Sequence, residues 1–229
     1  MSRVYISKKA NEIIKAYLLQ RGHEIIEIGA TGAVYPAVET HPDIYMCKLG
    51  AEPDDKVFKG DIEELGFEYP YDVKFNAACI GDFFIHNLKF TSEKLLKAAD
   101  CFQGVNIKQG YTKCNLVVVD NNSAITSDAG IFKALRQIDE IDILKVRTGY
   151  VKLEGFEYGF LGGASGRVGS EILFNGNLEK HPDFAQIRDF IEARGLSLKY
   201  FKEYELEDIG SIIEEPAAGC DKNASKAKA

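Results

Sequence analysis

No stretch of the 229-residue chain approaches the roughly 18 consecutive uncharged apolar residues that a membrane-spanning helix needs. The opening residues, Met1 to Lys9, have no long apolar core and no small-residue cleavage site, so no secretory leader is expected. There is no Cys-x-x-Cys. The cysteines (Cys47, Cys79, Cys101, Cys114 and Cys220) are odd in number and widely spaced. Free thiols in a reducing cytoplasm fit that pattern better than a disulfide framework. A structural zinc site is not expected either, since it needs four clustered ligands. Basic charge is scarce, with 28 Lys and Arg against 35 Asp and Glu and a net charge of −7. The only basic cluster is Lys222, Lys226 and Lys228 in the tail. A nucleic-acid surface needs a basic stripe, so no nucleic-acid partner is expected. There is no dinucleotide fingerprint and no helical His-Glu-x-x-His. Gly162 to Gly166 lacks the Lys-Ser/Thr ending of a phosphate loop, so no cofactor is expected.

What is present is ordinary globular material, 45% apolar and 28% charged, enough to drive collapse around a core. Its order is informative. Around Cys79 to His86 the chain reads as a short buried strand pair. A helix follows, capped by Thr91 or Ser92, with Leu95, Leu96 and Ala99 on one face, and then a strand from Phe102 to Ile107. The same order returns. Cys114 to Asp120 is strand-like, Asn121-Asn122 is a turn, and Ser123 to Thr126 is a second strand. Ser127-Asp128 caps a helix with Ile131, Leu135 and Ile138 inward, and Ile141 to Val146 closes the unit. Both Cys79–Cys114 and Ser92–Ser127 are offset by 35 positions.

A third copy runs from Phe160. It has a strand at Glu171 to Phe174, a turn at Asn175 to Asn177, and a helix opened by His181-Pro182-Asp183 with Phe184, Ile187 and Ile191 inward. Gly195 caps that helix before a strand at Leu196 to Phe201. Two weaker copies precede these. One has a strand at Val4 to Ser7, a helix at Ala10 to Arg21 and a strand at His23 to Ile28. The other has a hairpin at Asp43 to Leu49 and Lys56 to Lys59, a short acidic helix at Ile62 to Leu65, and a strand at Tyr71 to Phe75. The first copy lacks an opening strand, and Leu206 to Ile213 is an opening strand without a helix. Pairing the two closes a ring of five units averaging about 46 residues, within the range of repeat architectures. Closure also removes exposed sheet edges. The expected architecture is α/β, a single domain over residues 1–215 with a disordered tail over 216–229.

The motifs His41-Pro42-Asp43, Gly110 to Cys114, Gly159 to Gly166, His181-Pro182-Asp183 and Asp208 to Ser211, in this order along a ring of ββαβ units, resemble the pentein fold. More narrowly, the chain resembles an uncharacterised bacterial family with that five-bladed α/β propeller. The pentein fold is that of the guanidine-modifying enzymes, the deiminases, amidinotransferases and dimethylarginine hydrolases. The resemblance implies a Cys thiolate attacking a guanidinium carbon, a His moving protons and carboxylates gripping the cation, all in the central channel.

Carried onto this chain, the candidates for catalysis are His41, Asp43 and Cys114. On a strand, His41 and Asp43 would share a face; the alternative is a turn fixed by Pro42. Cys114 is nucleophile or small buried core residue. Lys113, Gly162, Gly163, Asp208 and Ser211 are candidates for substrate binding. Gly162-Gly163 permits close approach to a ligand, or is a tight turn. Asp208 faces the channel or is a rim charge. The chain departs from the enzymes in two ways. Ala164-Ser165 stands where they often carry a carboxylate. The His-x-Asp pair comes early, and the cysteine near the C-terminus, Cys220, lies in the tail. The implied function is a hydrolase or transferase on a guanidino-type C–N group, with a small polar ligand as partner. The alternative is a non-catalytic binding module, as in the branch of the fold that acts as a ribosome anti-association factor.

Overall fold

A computed structural model describes residues 2–217. The chain is mixed α/β, built from five small sheets with no closed barrel. The first strand, β1 (Ser2–Ser7), leads into helix α1 (Glu12–Gln20) and strand β2 (Glu24–Ile28). Asn11 caps α1 by accepting from the Ile13 N–H, which satisfies one of the free donors of the first turn. Ile14 and Leu18 are fully buried against Val4 and Ile6 of β1. Each such aliphatic side chain contributes roughly 1.5–3 kcal/mol of burial energy.

The next pieces are the helical turn α2 (Pro42–Tyr45) and the hairpin β3 (Met46–Lys48) and β4 (Val57–Lys59). Strands β5 (Ala78–Ile80), β6 (Phe83–His86) and β7 (Gln103–Asn106) carry helix α3 (Glu93–Ala98) between the last two. The helical turn α4 (Thr112–Asn115) precedes β8 (Leu116–Asp120), β9 (Ser123–Thr126), helix α5 (Ala129–Leu135) and β10 (Asp142–Lys145). Strands β11 (Ser165–Val168), β12 (Glu171–Phe174), helix α6 (Phe184–Glu192) and β13 (Ser197–Lys199) form the last complete unit, and β14 (Ile213–Pro216) ends the described chain.

Three sheets, β5-β6-β7, β8-β9-β10 and β11-β12-β13, each join one antiparallel pair to one parallel pair. The sheet β14-β1-β2 has the same pattern, antiparallel then parallel, although its strands come from opposite ends of the sequence. Tyr5 pairs with Ile213 and Ser2 with Pro216. The expected pairing of the C-terminal segment with the first unit is therefore present.

Apolar clusters join the sheets in succession. Ile213 and Tyr5 pack on Met46 and Val57; Cys47 packs among Cys79 and Phe84; Ala78 and Ile80 pack with Leu116 and Ala124. Val117 and Ile125 pack with Ile172 and Phe174, and Val168 and Leu173 return to Val4 and Ile6. One cavity of about 40 Å³ is lined by Met46, Ala78, Val118, Ser165 and Ile213, one residue from each sheet.

Four expectations are corrected. Tyr71 to Phe75 is not a strand, and the hairpin sheet has only two strands. The backbone there closes a turn, Asn76 N–H to Val73 O, and holds Ser92 through Lys74 O. Cys114 begins no strand; it lies in α4, and the strand starts at Leu116. Asp43 likewise lies in the α2 turn, with Pro42 at the first position, so strand alternation does not relate it to His41. The closing strand begins only at Ile213, because Gly210 and Ser211 both have positive φ (71° and 73°) and bend the chain away from extended geometry. Strand β14 runs to Pro216, one residue into the expected tail. The remainder of that tail, with Cys220, lies outside the described residues. No helix among the described residues is long and apolar enough to cross a membrane.

Candidate functional site

Four separate segments converge at one end of the small cavity. The turn before β3 brings His41 and Asp43, and the turn before β8 brings Lys113 and Cys114. The loop before β14 brings Asp208 and Ser211, and the turn before β5 brings Asn76. His41, Asp43, Asn76, Cys114, Asp208 and Ser211 are all buried. The sequence-predicted residues thus share one site, although α2 and α4 are helical turns and not strands.

Cys114 is the centre. Its thiol donates to Asp43 Oδ2 at 3.1 Å, and Asn76 Nδ2 donates to its sulfur at 3.3 Å. Asp43 Oδ2 also accepts from Ser211 Oγ at 2.6 Å. Lys113 Nζ donates to Ser211 Oγ at 3.1 Å and to the carbonyls of Gly162 and Leu116 at 3.4 Å. Lys113 therefore reaches Asp43 through Ser211 and lines the 40 Å³ cavity.

Asp208 is fixed by two backbone donors, Phe160 N–H to Oδ2 at 2.9 Å and Gly210 N–H to Oδ1 at 3.0 Å. His41 Nδ1 lies 3.9 Å from Asp208 Oδ1, beyond hydrogen-bond reach. His41 Nδ1 and Asp43 Oδ1 are buried without a hydrogen-bond partner among the described residues. Buried polar atoms are almost always satisfied, so two such orphans on residues around Cys114 set this site apart from the rest of the core.

Gly162 and Gly163 do not line the cleft above the site. They are spacers. A Cβ on Gly163 would stand 2.0 Å from Asp208 Oδ1, and one on Gly210 would stand 2.0 Å from the His41 Cβ. Both positions require glycine so that the two loops can close on the site. A Cβ on Gly162 would stand 2.5 Å from the carbonyls of Lys113 and Leu116, and the Gly162 carbonyl accepts from Lys113. His181 and Asp183 lie elsewhere; Asp183 binds Arg147 at the head of α6.

The electrostatics differ from a preactivated thiolate. Burial pushes the Cys114 thiol well above its ordinary value, and the Asp43 and Asp208 carboxylates push it the same way. Burial also raises Asp208, while His41 opposes that shift. Burial lowers Lys113, against the pull of Asp43. The thiol without ligand is therefore held up by burial between the carboxyl groups of Asp43 and Asp208, with the Lys113 amine behind Asp43.

The cleft over this site has a volume of about 400 Å³ and is lined by Tyr35, Thr40, His41, Leu153, Asp208 and Ile209, among others. That is the size range of small-ligand pockets. His41, Cys114 and Asp208 also place one nitrogen, one sulfur and one oxygen within 4.8 Å of one another, a set that could hold a metal ion. It is one ligand short of a closed structural zinc site. Asn76 was not identifiable in the sequence, where it is a lone Asn between Phe75 and Ala77 with no motif around it.

Residues 5–213 match the Family of unknown function (DUF6873), and the chain belongs to that family. No curated protein and no solved structure matches the chain.

Proposed function

For a member of a family whose function is unknown, we propose a Cys-dependent hydrolase or transferase acting on a guanidino-type C–N group. The observation that carries this reading is the convergence of Cys114, His41 and Asp208 within 4.8 Å, beside an Asp43 whose buried Oδ1 has no hydrogen-bond partner among the described residues. A guanidinium or amidinium cation supplies what the site lacks. Its N–H groups satisfy Asp43 Oδ1 and Asp208, and its charge offsets the carboxylates that hold the Cys114 thiol protonated.

In the proposed reaction the Cys114 proton passes to His41, and the sulfur attacks the central carbon. The C–N bond then breaks, and His41 protonates the departing amine. Water, or an acceptor amine in a transferase, adds to the thiouronium carbon with its proton going to His41. The C–S bond breaks and Cys114 is released as thiol. With water the product is a urea.

The fold that accompanies this reading is a five-bladed α/β propeller of the pentein type. It is supported by five sheets in cyclic contact and by the β14–β1 pairing that completes the first unit. The site sits where the inner strands β3, β5, β8 and β14 begin, near the axis of such a ring.

The experiment is a screen of guanidino and amidino compounds for release of ammonia or amine, with intact-mass detection of an adduct on Cys114. Turnover of one compound, lost in Cys114→Ser and in His41→Ala, supports an enzyme. Tight binding with no adduct and no release would replace it with a binding module for the same cations.

A further inference from the structure

A second hydrogen-bond chain runs along the cleft wall, and the proposed chemistry does not use it. Asp72 is fully buried. Its Oδ2 accepts the hydroxyl of Tyr111, and its Oδ1 has no partner among the described residues. The Tyr111 hydroxyl lies 2.7 Å from that of Tyr35. A tyrosine hydroxyl carries one proton. Tyr111 directs its proton at Asp72, so Tyr35 must donate to Tyr111. Toward the cleft, Tyr35 then has only acceptor lone pairs.

The chain is held rigidly. Tyr111 stacks on Tyr69 with centroids 5.7 Å apart and lies 6.4 Å from Phe160, and Tyr35 lies 6.1 Å from Phe156. His86 Nε2 bonds the carbonyl of Gly110, fixing the backbone just before Tyr111. Tyr35 lines the cleft beside His41 and Asp208. A buried carboxyl with one orphan oxygen is costly, and the side chain that bonds its other oxygen is Tyr111 of this chain of hydroxyls.

We infer that Tyr35 is a specificity-determining residue: its hydroxyl, oriented by Asp72 through Tyr111, is a fixed acceptor that selects a planar N–H-bearing cation over its uncharged carbonyl isostere. This rests on the guanidino reading and sharpens it. Asp43 Oδ1, Asp208 and Tyr35 present acceptors and no donor. Replacing a substrate =NH₂⁺ by C=O would point an oxygen at lone pairs. The wall then favours entry of a guanidinium and release of the urea made from it.

The test uses butylguanidinium and butylurea as an isosteric pair, titrated calorimetrically into Cys114→Ser protein, which lacks the thiol of this site. Butylguanidinium is expected to bind more tightly. Adding Tyr35→Phe is expected to narrow the ratio of the two dissociation constants about tenfold, the scale of one hydrogen bond to a charged group. Tyr111→Phe, which breaks the chain without removing the Tyr35 hydroxyl, is expected to narrow it in the same direction and serves if Tyr35→Phe does not fold. An unchanged ratio in a folded Tyr35→Phe or Tyr111→Phe protein, with the preference abolished by Asp43→Asn, overturns the role of Tyr35 and leaves the guanidino reading standing. Failure of Cys114→Ser protein to bind butylguanidinium in preference to butylurea removes both.

Discussion

The Cys114 thiol donates to Asp43 Oδ2 across 3.1 Å, joining two helical turns 71 residues apart. The relationship sets the resting state of the site. On the guanidino reading proposed above, the carboxylate that would grip the cation is, in its absence, the acceptor that holds the Cys114 proton in place. Burial adds to the effect, so the thiol is pushed up and not down. On that reading, activation arrives with the cationic ligand, whose positive charge offsets the carboxylates.

Asn76 ties this arrangement together. Its Oδ1 accepts from the backbone N–H groups of Lys113 and Cys114 at 2.8 and 3.3 Å, and its Nδ2 donates to the Asp43 carbonyl and to the Cys114 sulfur. Asn76→Asp keeps the acceptor and removes both donors, while adding a carboxylate beside Asp43. The expected outcome is a loss of roughly 2–4 kcal/mol in urea unfolding. The pH midpoint of Cys114 alkylation is expected to rise in the same variant. A merely structural role would change stability and leave that midpoint in place.

Gly210 has φ of 71°, and a Cβ there would stand 2.0 Å from the His41 Cβ. Gly210→Ala is expected to destabilise by more than about 2 kcal/mol, from a strained φ together with a clash against a buried ring. Thermal unfolding measures the first effect. Displacement of the His41 ring signals in NMR spectra measures the second.

His86 supplies a stability term with a definite sign. Burial holds its ring neutral and lowers its titration from 6.5 to about 4, while Thr91 and Gly110 satisfy its two nitrogens. The unfolded chain takes up a proton below its ordinary value and the folded chain does not. Stability from this group is thus present above pH 6.5 and is lost as pH falls toward 4, by roughly 3 kcal/mol. Denaturant midpoints at pH 7 and pH 4.5 should differ more in the wild type than in His86→Gln. Equal differences in the two proteins would show that His86 does not titrate in this way.

Much of this was legible in the sequence, for physical reasons. The repeating order of short β-branched strands and capped helices reflects real units, and the unpaired first and last strands of that pattern do pair. His41, Asp43, Lys113, Cys114, Asp208 and Ser211 do converge. The helical turns α2 and α4 were missed because four residues are too few to show a 3.6 periodicity. Tyr71 to Phe75 looks like a strand by composition, yet its buried Asp72 serves Tyr111 and its backbone serves a turn. Asn76 and the Asp72–Tyr111–Tyr35 chain depend on contacts across 37 or more positions, which no local pattern records. The direction of the Cys114 shift follows from burial, which adjacency to Lys113 in the sequence does not disclose.

The most direct measurement compares two alkylating reagents of the same shape at Cys114. Chloroacetamidine brings a cation to the carboxylates, and chloroacetamide does not. Site-resolved mass spectrometry follows both at pH 7, with the exposed Cys101 as internal reference. If a bound cation activates Cys114, chloroacetamidine is expected to label it at least about tenfold faster than chloroacetamide after normalising to Cys101, and Asp43→Asn should erase the difference. Equal normalised rates at Cys114 would contradict a cation-activated nucleophile at this site.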